Sequence, residues 1–370
     1  MKDFLKVHQV TLDVIGPVFV GSGAEISKKE YVFLDGNSKI GVIDIKKMYE
    51  FASRKGLRTS FEDMMLNQRA DLHHWLMDNR INKNEIKPVM RYVLESGQTS
   101  LQRGTRVQIM EAVKDPYGQP YIPGSSLKGM LRTILLCGRV QREPNRYTYE
   151  KRTMESAADR PTGRQRYLLK EQSEIEQKAF YLLSRDEKKR GNAVNDELSG
   201  LLVSDSEPLK ISDLILCQKV ERHTDGTEKT LNLLRECIRP GTKIRFTISI
   251  DQTICSVTAD EIKDALAYFE EIYNDCFLNA FRGIDRIVPG TVYLGGGAGY
   301  VSKTVTYPLF GKHDGLQMAQ TIFETTVGRK GEDQHQHRKD HIFGASPHIV
   351  KCTHVDGRSV QMGQCRLSIS

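Results

Sequence analysis

The sequence lacks the features that mark several large classes of protein. Its seven cysteines are scattered through 370 residues with no Cys-x-x-Cys pair, and their odd number favours reduced thiols over a disulfide framework. No run approaches the roughly 18 apolar residues of a membrane-spanning helix, and the first residues hold no apolar core of a signal peptide. We therefore expect a cytoplasmic protein without a membrane partner.

A strong charge imbalance is also missing. Lysine and arginine number 54 against 47 aspartates and glutamates, which gives a formal net charge of +7 and a pI of about 8.9. This excess favours an acidic partner, but the near balance means that composition permits nucleic acid without requiring it. The length makes two domains the default expectation.

The first half of the chain alternates between strand and helix patterns. An apolar, β-branched stretch over 7–20 predicts a strand that runs into a tight loop at Gly21, Ser22 and Gly23. The further predictions are a hairpin over 31–43, a helix capped by Asp44, helices over 60–95 with a break at Pro88, a strand over 105–113, and a helix from Ser125 or Ser126 to about Cys137.

The second half repeats this order of strands, loop and helix. Strands are predicted over 201–206, 214–221, 231–238, 243–250 and 291–294, with an amphipathic helix over 259–282 and irregular structure with short elements after Phe310. The repetition predicts an α+β protein with two ferredoxin-like, RRM-like domains. We place these domains at 1–140, with a helical insertion at about 60–95, and at 199–370, with a charged insertion or linker at 141–198 between them.

The segment 139–195 is dominated by charge. One interpretation is a solvated, partly helical insertion. The other is an RNA-facing basic arm, in which arginines contact phosphates while Tyr147, Tyr149 and Tyr167 stack on bases.

A glycine-rich loop follows the strand at 291–294. Gly295, Gly296, Gly297 and Gly299 let a partner's backbone come close, Lys303 adds a cation, and Tyr300 offers a stacking surface. A Walker A loop is disfavoured because Ser302 stands where the second glycine belongs, and 305–308 does not look like a helix start. A plain connecting turn remains the alternative.

A second cluster lies at a predicted helix N-terminus, where anions are favoured. Ser125 and Ser126 offer hydroxyls, while Lys128 and Arg132 lie one helical turn apart. The serines could equally serve only as helix caps.

Histidines near the end of the chain are the one group typical of metal binding or acid–base RNA cleavage. His335, His337 and His341 lie close to Asp333 and Asp340, but their spacing matches no zinc pattern and also fits a polar loop. We therefore predict no metal, no cofactor and no catalytic residue.

Three of these stretches together resemble the RAMP superfamily of CRISPR proteins. They are Tyr-Ile-Pro-Gly-Ser-Ser-Leu-Lys-Gly-Met-Leu-Arg at 121–132, the glycine-rich loop at 295–299, and Phe-Val-Gly-Ser-Gly at 19–23. The length, that loop and Gly-Leu-Leu-Val-Ser-Asp-Ser at 200–206 make the chain most similar to the long Csm subunits that cap the crRNA 3′ end in type III-A effector complexes. The resemblance thins in 139–195 and after 310.

The resemblance implies a structural, RNA-binding subunit rather than an enzyme. Its expected partners are crRNA, neighbouring Csm or RAMP subunits and host ribonucleases during crRNA maturation, in the service of antiviral defence. The RNA-facing positions that it implies are Gly21, Ser22, Gly23, Ser125, Ser126, Lys128, Arg132, Gly295, Gly296, Gly297, Gly299, Tyr300 and Lys303.

One departure from the family pattern bears on catalysis. The repeated backbone subunits of such complexes carry a cleaving aspartate after their first glycine-rich loop, where this chain has Ser-Lys-Lys-Glu-Tyr at 27–31. Two alternatives remain open. One is a RAMP-type crRNA-processing endoribonuclease with His8, His73 or His74 as general acid, and the other is a subunit of the related Cmr complex.

Overall fold

A computed structural model describes residues 4–97, 107–160, 166–327 and 336–370. Within these ranges the strands are β1 (Leu5–Val14), β2 (Gly21–Ile26), β3 (Tyr31–Leu34), β4 (Lys39–Ile43), β5 (Met90–Ser96), β6 (Ile109–Ala112), β7 (Leu201–Val203), β8 (Leu214–His223), β9 (Glu228–Ile238), β10 (Lys243–Asp251), β11 (Thr291–Tyr293), β12 (Ile349–Val355), β13 (Arg358–Gln361) and β14 (Gln364–Ile369). The helices are α1 (Ile45–Arg54), α2 (Arg58–Leu66), α3 (Leu72–Asp78), α4 (Gly124–Arg142), α5 (Thr148–Ala158), α6 (Leu169–Phe180), α7 (Ala259–Cys276), α8 (Thr306–Thr326) and α9 (Asp340–Phe343). Of the predicted strand over 105–113, the first two residues lie outside the described ranges.

The strands form two sheets, which confirms the predicted α+β class. The first sheet is antiparallel, in the order β11-β14-β1-β10-β7. The second has the order β2-β6-β9-β8-β5-β4-β3, with β12 beside β8 and β13 beside β12. Each sheet takes strands from both ends of the chain, since β1 pairs with β10 and β14, and β5 and β6 run parallel to β8 and β9. The division at 140 and 199 stays a prediction.

Helices α4 and α7 cross over the core at a glycine. An added Cβ at Gly138 would lie 2.7 Å from the Cβ of Ala265, so only glycine permits this close approach. The amphipathic stripe predicted for α7 is buried, and Thr258 caps the helix by accepting from the Glu261 amide at 3.1 Å. The helix ends at Cys276, six residues before the predicted end.

Helices α1 to α3 cover the β3–β4 hairpin with a separate apolar cluster. The ring of Phe61 meets that of Trp75 edge-on at 5.3 Å, and the predicted Asp44 cap accepts from the Lys47 amide. The predicted helical insertion is wrong over 90–96, which form β5. After the break at Pro88 the chain pairs with β4, and such long-range pairing overrides the local helical spacing.

The prediction of irregular structure with short elements after Phe310 is wrong, because the long helix α8 extends to Thr326 and strands β12 and β14 join the two sheets. Contrary to the expectation for 305–308, helix α8 starts at Thr306 with Pro308 in its first turn, where a missing N–H costs nothing, and Gly311 (φ 75°) breaks it. Strand β14 completes the first sheet beside β1, while β12 extends the second beside β8. Among the described residues no helix is both long and apolar enough to cross a membrane.

Candidate nucleic-acid interface

The glycine-rich loop meets the segment that follows β1. The amide of Gly296 donates to the carbonyl of Phe19 at 2.6 Å. Gly295 has φ +81°, and an added Cβ there would lie 2.2 Å from the same carbonyl oxygen. These two glycines therefore hold the loop against its neighbour, which is a structural reason for their presence.

The later glycines of the loop face a cleft. An added Cβ at Gly297 would lie 2.5 Å from Nη1 of Arg235, while one at Gly299 would meet nothing within 4 Å. The cleft has a volume of about 410 Å³. Its walls come from β8, β9, the glycine-rich loop, α8 and β12, which all belong to the second half of the chain.

Arg235 of β9 is the unusual cation of this cleft. Its guanidinium packs over the ring of Phe19 at 5.0 Å, and its Nε and Nη1 atoms are buried without a hydrogen-bond partner among the described residues. Burial lowers the pKa of this guanidinium. The residue is half-buried, but donor nitrogens buried without acceptors are costly, so the arrangement is typical of a site that an anion completes.

Lys303 adds a second unpaired charge. Its side chain is exposed, and it forms no ion pair with any carboxylate in the part of the chain described. The surrounding protein removes part of the water around the Lys303 ammonium, and this partial desolvation, followed by the neighbouring charge of Arg235, lowers its pKa. Two cations that repel each other favour an anion between them.

The opposite wall carries two lysines and one carboxylate. Glu221 pairs with Lys351 at 2.6 Å and with Lys219 at 3.1 Å. Burial by itself would raise the pKa of Glu221, but the two lysines lower it to about 2. Among the described residues the cleft thus holds four lysine and arginine side chains against a single carboxylate, which is the charge pattern of a phosphate-binding groove.

Tyr300 is held in place by its own chain. Its hydroxyl shares a 2.7 Å hydrogen bond with that of Thr306, and its ring meets Phe323 edge-on at 5.0 Å. Burial raises the pKa of this phenol. The ring still lines the cleft, and its predicted role as a stacking surface stays a prediction.

The predicted loop at 21–23 is wrong as secondary structure. The first strand ends at Val14, and Gly21, Ser22 and Gly23 open β2. Between β1 and β2 the chain is interrupted at Pro17 and Val18, which are buried, and Val18 forms an isolated bridge with Ile238. Local composition does not reveal this long-range contact. All three residues are exposed, and Ser22 lines a different cavity, beside Tyr92 and Lys114.

The N-terminus of α4 is already satisfied within the chain. The Gly124 amide donates to Oδ1 of Asp205 at 2.8 Å, so a carboxylate fills the place predicted for a phosphate. The predicted serine caps are wrong, because Pro123 is the cap residue and neither serine precedes the helix. Ser125 is exposed and Ser126 is half-buried.

Lys128 and Arg132 also have partners. Lys128 donates to the carbonyl of Leu198 at 2.7 Å. Arg132 pairs with Glu176 at 2.9 Å and with Asp196 at 2.6 Å. Both cations tie α4 to the segment before β7, and their predicted role toward RNA stays a prediction.

The charged segment contains helices α5 and α6, and its tyrosines divide into two kinds. Tyr147 and Tyr167 are buried, and only Tyr149 is exposed. The run at 188–190 is exposed, whereas Arg142, Arg146 and Lys178 have carboxylate partners. Base stacking by all three tyrosines is therefore wrong, because two of them are core residues.

The histidine group is rearranged in the structure. His337 and Asp340 are buried beside His348, while His341 is exposed. His335 and Asp333 lie outside the described residues.

Sequence reasoning missed His348, since it is separated from the others and precedes a strand. It also missed Arg235, Lys219 and Lys351. Their only signal in the sequence is that each is a basic residue within a strand of alternating apolar and polar residues.

Three relatives resemble the chain along most of its length. A protein of Mycobacterium tuberculosis, "CRISPR system Cms protein Csm5", is 32% identical, and the match covers 100% of this chain and 99% of that protein. Proteins of the same description from Streptococcus thermophilus and Enterococcus italicus are 29% and 26% identical over 90% and 82% of this chain. They cover 88% and 80% of those proteins.

Two solved structures share the fold. A chain of the cryo-EM structure of a Csm–crRNA–target RNA ternary complex of a type III-A CRISPR-Cas system matches with a TM-score of 0.66 and 17% identity, over 98% of this chain and 100% of that one. The crystal structure of T. onnurineus Csm5 matches with a TM-score of 0.56 and 17% identity, over 96% and 99%. The model of the RAMP superfamily matches residues 11–295. The chain therefore belongs to the RAMP superfamily and, within it, to the Csm5 proteins of CRISPR systems.

Proposed function

We propose that this chain is a non-catalytic subunit of a cytoplasmic type III-A CRISPR effector, in which it grips the 3′ region of crRNA, caps the subunit filament and supports crRNA maturation. The observation that carries the proposal is the cleft beside the glycine-rich loop, where Arg235 has two buried nitrogens without partners. A phosphate would supply the missing acceptors through charge-assisted hydrogen bonds. The similar chain in the ternary complex belongs to an assembly with crRNA and target RNA.

The proposal of a structural role rests on how the chain uses the residues after its first loop. The only carboxylate of the 27–31 stretch, Glu30, accepts from the Ser27 amide at 2.8 Å. Lys28 and Lys29 donate to backbone carbonyls near the end of α2 and the turn that follows it. These contacts anchor the helical insertion, so the stretch serves the fold where related subunits place a cleaving aspartate.

The candidate acids of the endoribonuclease alternative are dispersed. His8 lies on β1 in the first sheet, whereas His73 and His74 lie on α3 in the helical insertion. His74 is exposed and bonds to Asp71, the cap residue of its own helix. RNA cleavage by general acid–base chemistry needs such groups together around one phosphate.

The test is protection of crRNA in a complex assembled from the other Csm subunits with and without this chain. We expect the wild-type chain to protect the 3′ region from nuclease and Arg235→Met to lose that protection. Arg245→Met is the matched control, since Arg245 pairs with Glu207 on an exposed face of the first sheet. Protection that persists without the chain would contradict the proposal, and crRNA precursor cut by the purified chain would favour the endoribonuclease.

A further inference from the structure

A buried cluster next to the cleft joins two histidines to one aspartate. The Nδ1 atom of His337 lies 3.1 Å from Oδ2 of Asp340, and the Nδ1 atom of His348 lies 2.6 Å from Oδ1. Asp340 is fully buried, and the two imidazoles are 5% and 7% exposed. Three metal-ligand atoms from these residues lie within 4.8 Å of one another.

Separate elements bring the three residues together. His337 and Asp340 lie one helical turn apart, in the short 3-10 helix at 337–339 and at the start of α9. His348 directly precedes β12, which pairs with β8. The cluster therefore joins the helical turn after α8 to an edge of the second sheet.

We propose that His337, Asp340 and His348 form a binding site for a divalent transition-metal ion, with zinc as the natural probe. Imidazole nitrogens and a carboxylate are the ligands that zinc takes at about 2.0–2.2 Å. Two donors on one tetrahedral ion are then roughly 3.3 Å apart. The distance from His337 to Asp340 is near this separation, and the distance from His348 to Asp340 would have to increase by about 0.7 Å.

The surroundings provide room for a further ligand and support for the rings. A cavity of about 340 Å³ borders His337 and His348, which gives solvent access to a fourth position. The ring of His223 stacks on His348 at 5.5 Å, and that of Phe323 stacks on His337 at 4.5 Å. These contacts fix both imidazoles in the orientation that faces the carboxylate.

The same rings connect the site to the glycine-rich loop. Tyr300 packs on Phe323, Phe323 stacks on His337, and His337 meets His348 at 5.1 Å. An ion that holds the two histidines would therefore support the wall of the cleft that Tyr300 lines. The site is a structural one in this proposal, with no part in a reaction.

The test begins with the untagged full chain, stripped with a chelator and then titrated with zinc against a chromophoric competitor. We expect about one zinc ion per chain, and at least tenfold weaker binding in His337→Gln and His348→Gln. The matched control is His341→Gln, which changes an exposed histidine of the same segment and should bind as the wild type does. Equal binding by all variants, or no binding by the wild type, would reduce the cluster to a hydrogen-bonded network and overturn the proposal.

A second measurement requires no variant to fold. X-ray absorption of the zinc-loaded wild-type chain should show nitrogen and oxygen neighbours at about 2.0–2.1 Å with the scattering pattern of two imidazoles. A sulfur neighbour at about 2.3 Å would assign the ion to one of the seven buried cysteines and overturn the proposal. Asp340→Asn keeps the size of the side chain, and wild-type zinc affinity in that folded variant would equally contradict it.

Discussion

Two arginines of this protein each pack over a phenylalanine ring, but among the described residues only one of them is paired with carboxylates. Arg132 of α4 packs over the ring of Phe180 at 4.6 Å, and Arg235 of β9 packs over Phe19 at 5.0 Å. Arg132 is paired with two carboxylates, whereas Arg235 has buried nitrogens without partners in the described part of the chain. The N-terminus of α4 and the glycine-rich loop that Arg235 faces both look like phosphate sites in the sequence, and the structure shows that, within the ranges it describes, only the cation near α4 is already paired with carboxylates.

The largest expected effect is on RNA binding by Arg235→Met. A hydrogen bond to a charged group contributes about 1.5–3 kcal/mol, so the loss should be about tenfold or more. The slope of log affinity against log salt should fall by about 0.7 for one lost contact to single-stranded RNA. Because the change removes two buried donor nitrogens that have no acceptor among the described residues, thermal unfolding should occur at the same or a higher temperature.

The opposite result is expected for Arg132→Met. It leaves the carboxylates of Glu176 and Asp196 without their cation, which should lower the free energy of unfolding by about 1–3 kcal/mol. RNA affinity of the folded variant should match that of the wild type. Denaturant unfolding and RNA titration of the same preparations measure both quantities. A large loss of RNA affinity in Arg132→Met would contradict the distinction between the two regions.

The loop glycines sharpen the comparison with a smaller effect. Gly297→Ala and Gly299→Ala both place a side chain at φ close to +90°, a strain of about 1–2 kcal/mol. Only the first lies against the guanidinium of Arg235. We expect similar losses of thermal stability in both variants and weaker RNA binding in Gly297→Ala alone. Equal RNA affinities would indicate that the loop has a structural role only.

The smallest effect concerns Glu221, the one carboxylate that lines the cleft within the described ranges. Glu221 has its pKa lowered to about 2 by Lys351 and Lys219, so its contribution to stability is present above about pH 4.5 and is lost as pH falls toward 2. Glu221→Gln should therefore be less stable than the wild type at pH 7 and closer to it at pH 3. It should also bind RNA slightly more tightly at pH 7, since two lysines are freed. Thermal melts at both pH values and one RNA titration check this.

The sequence predicted the fold well where local patterns determine it. The hairpin at 31–43, the Asp44 cap, the alternation at 243–250 and the stripe of α7 are all confirmed. It failed after Phe310 and at 90–96, because β14 and β5 are stabilised by partners far away in the chain. Long-range pairing leaves little trace in composition.

The candidate site shows the same limit. The glycine-rich loop could be found from its glycines, but Arg235 lies about 60 residues before it, and nothing local distinguishes it from other basic strand residues. The helix at 124 was predicted as an anion site from its N-terminus, yet Asp205, about 80 residues later, fills that place. Only the folded structure shows which charges are neutralised and which remain available.

Ultraviolet crosslinking of the assembled complex to crRNA, followed by identification of the crosslinked peptides, tests the central claim most directly. The account predicts crosslinked residues in the glycine-rich loop and on β9 around Arg235, with few in 124–132. Crosslinks concentrated at 124–132, with none at 295–303, would contradict it and transfer the RNA interface to the helix whose cations the structure shows as paired.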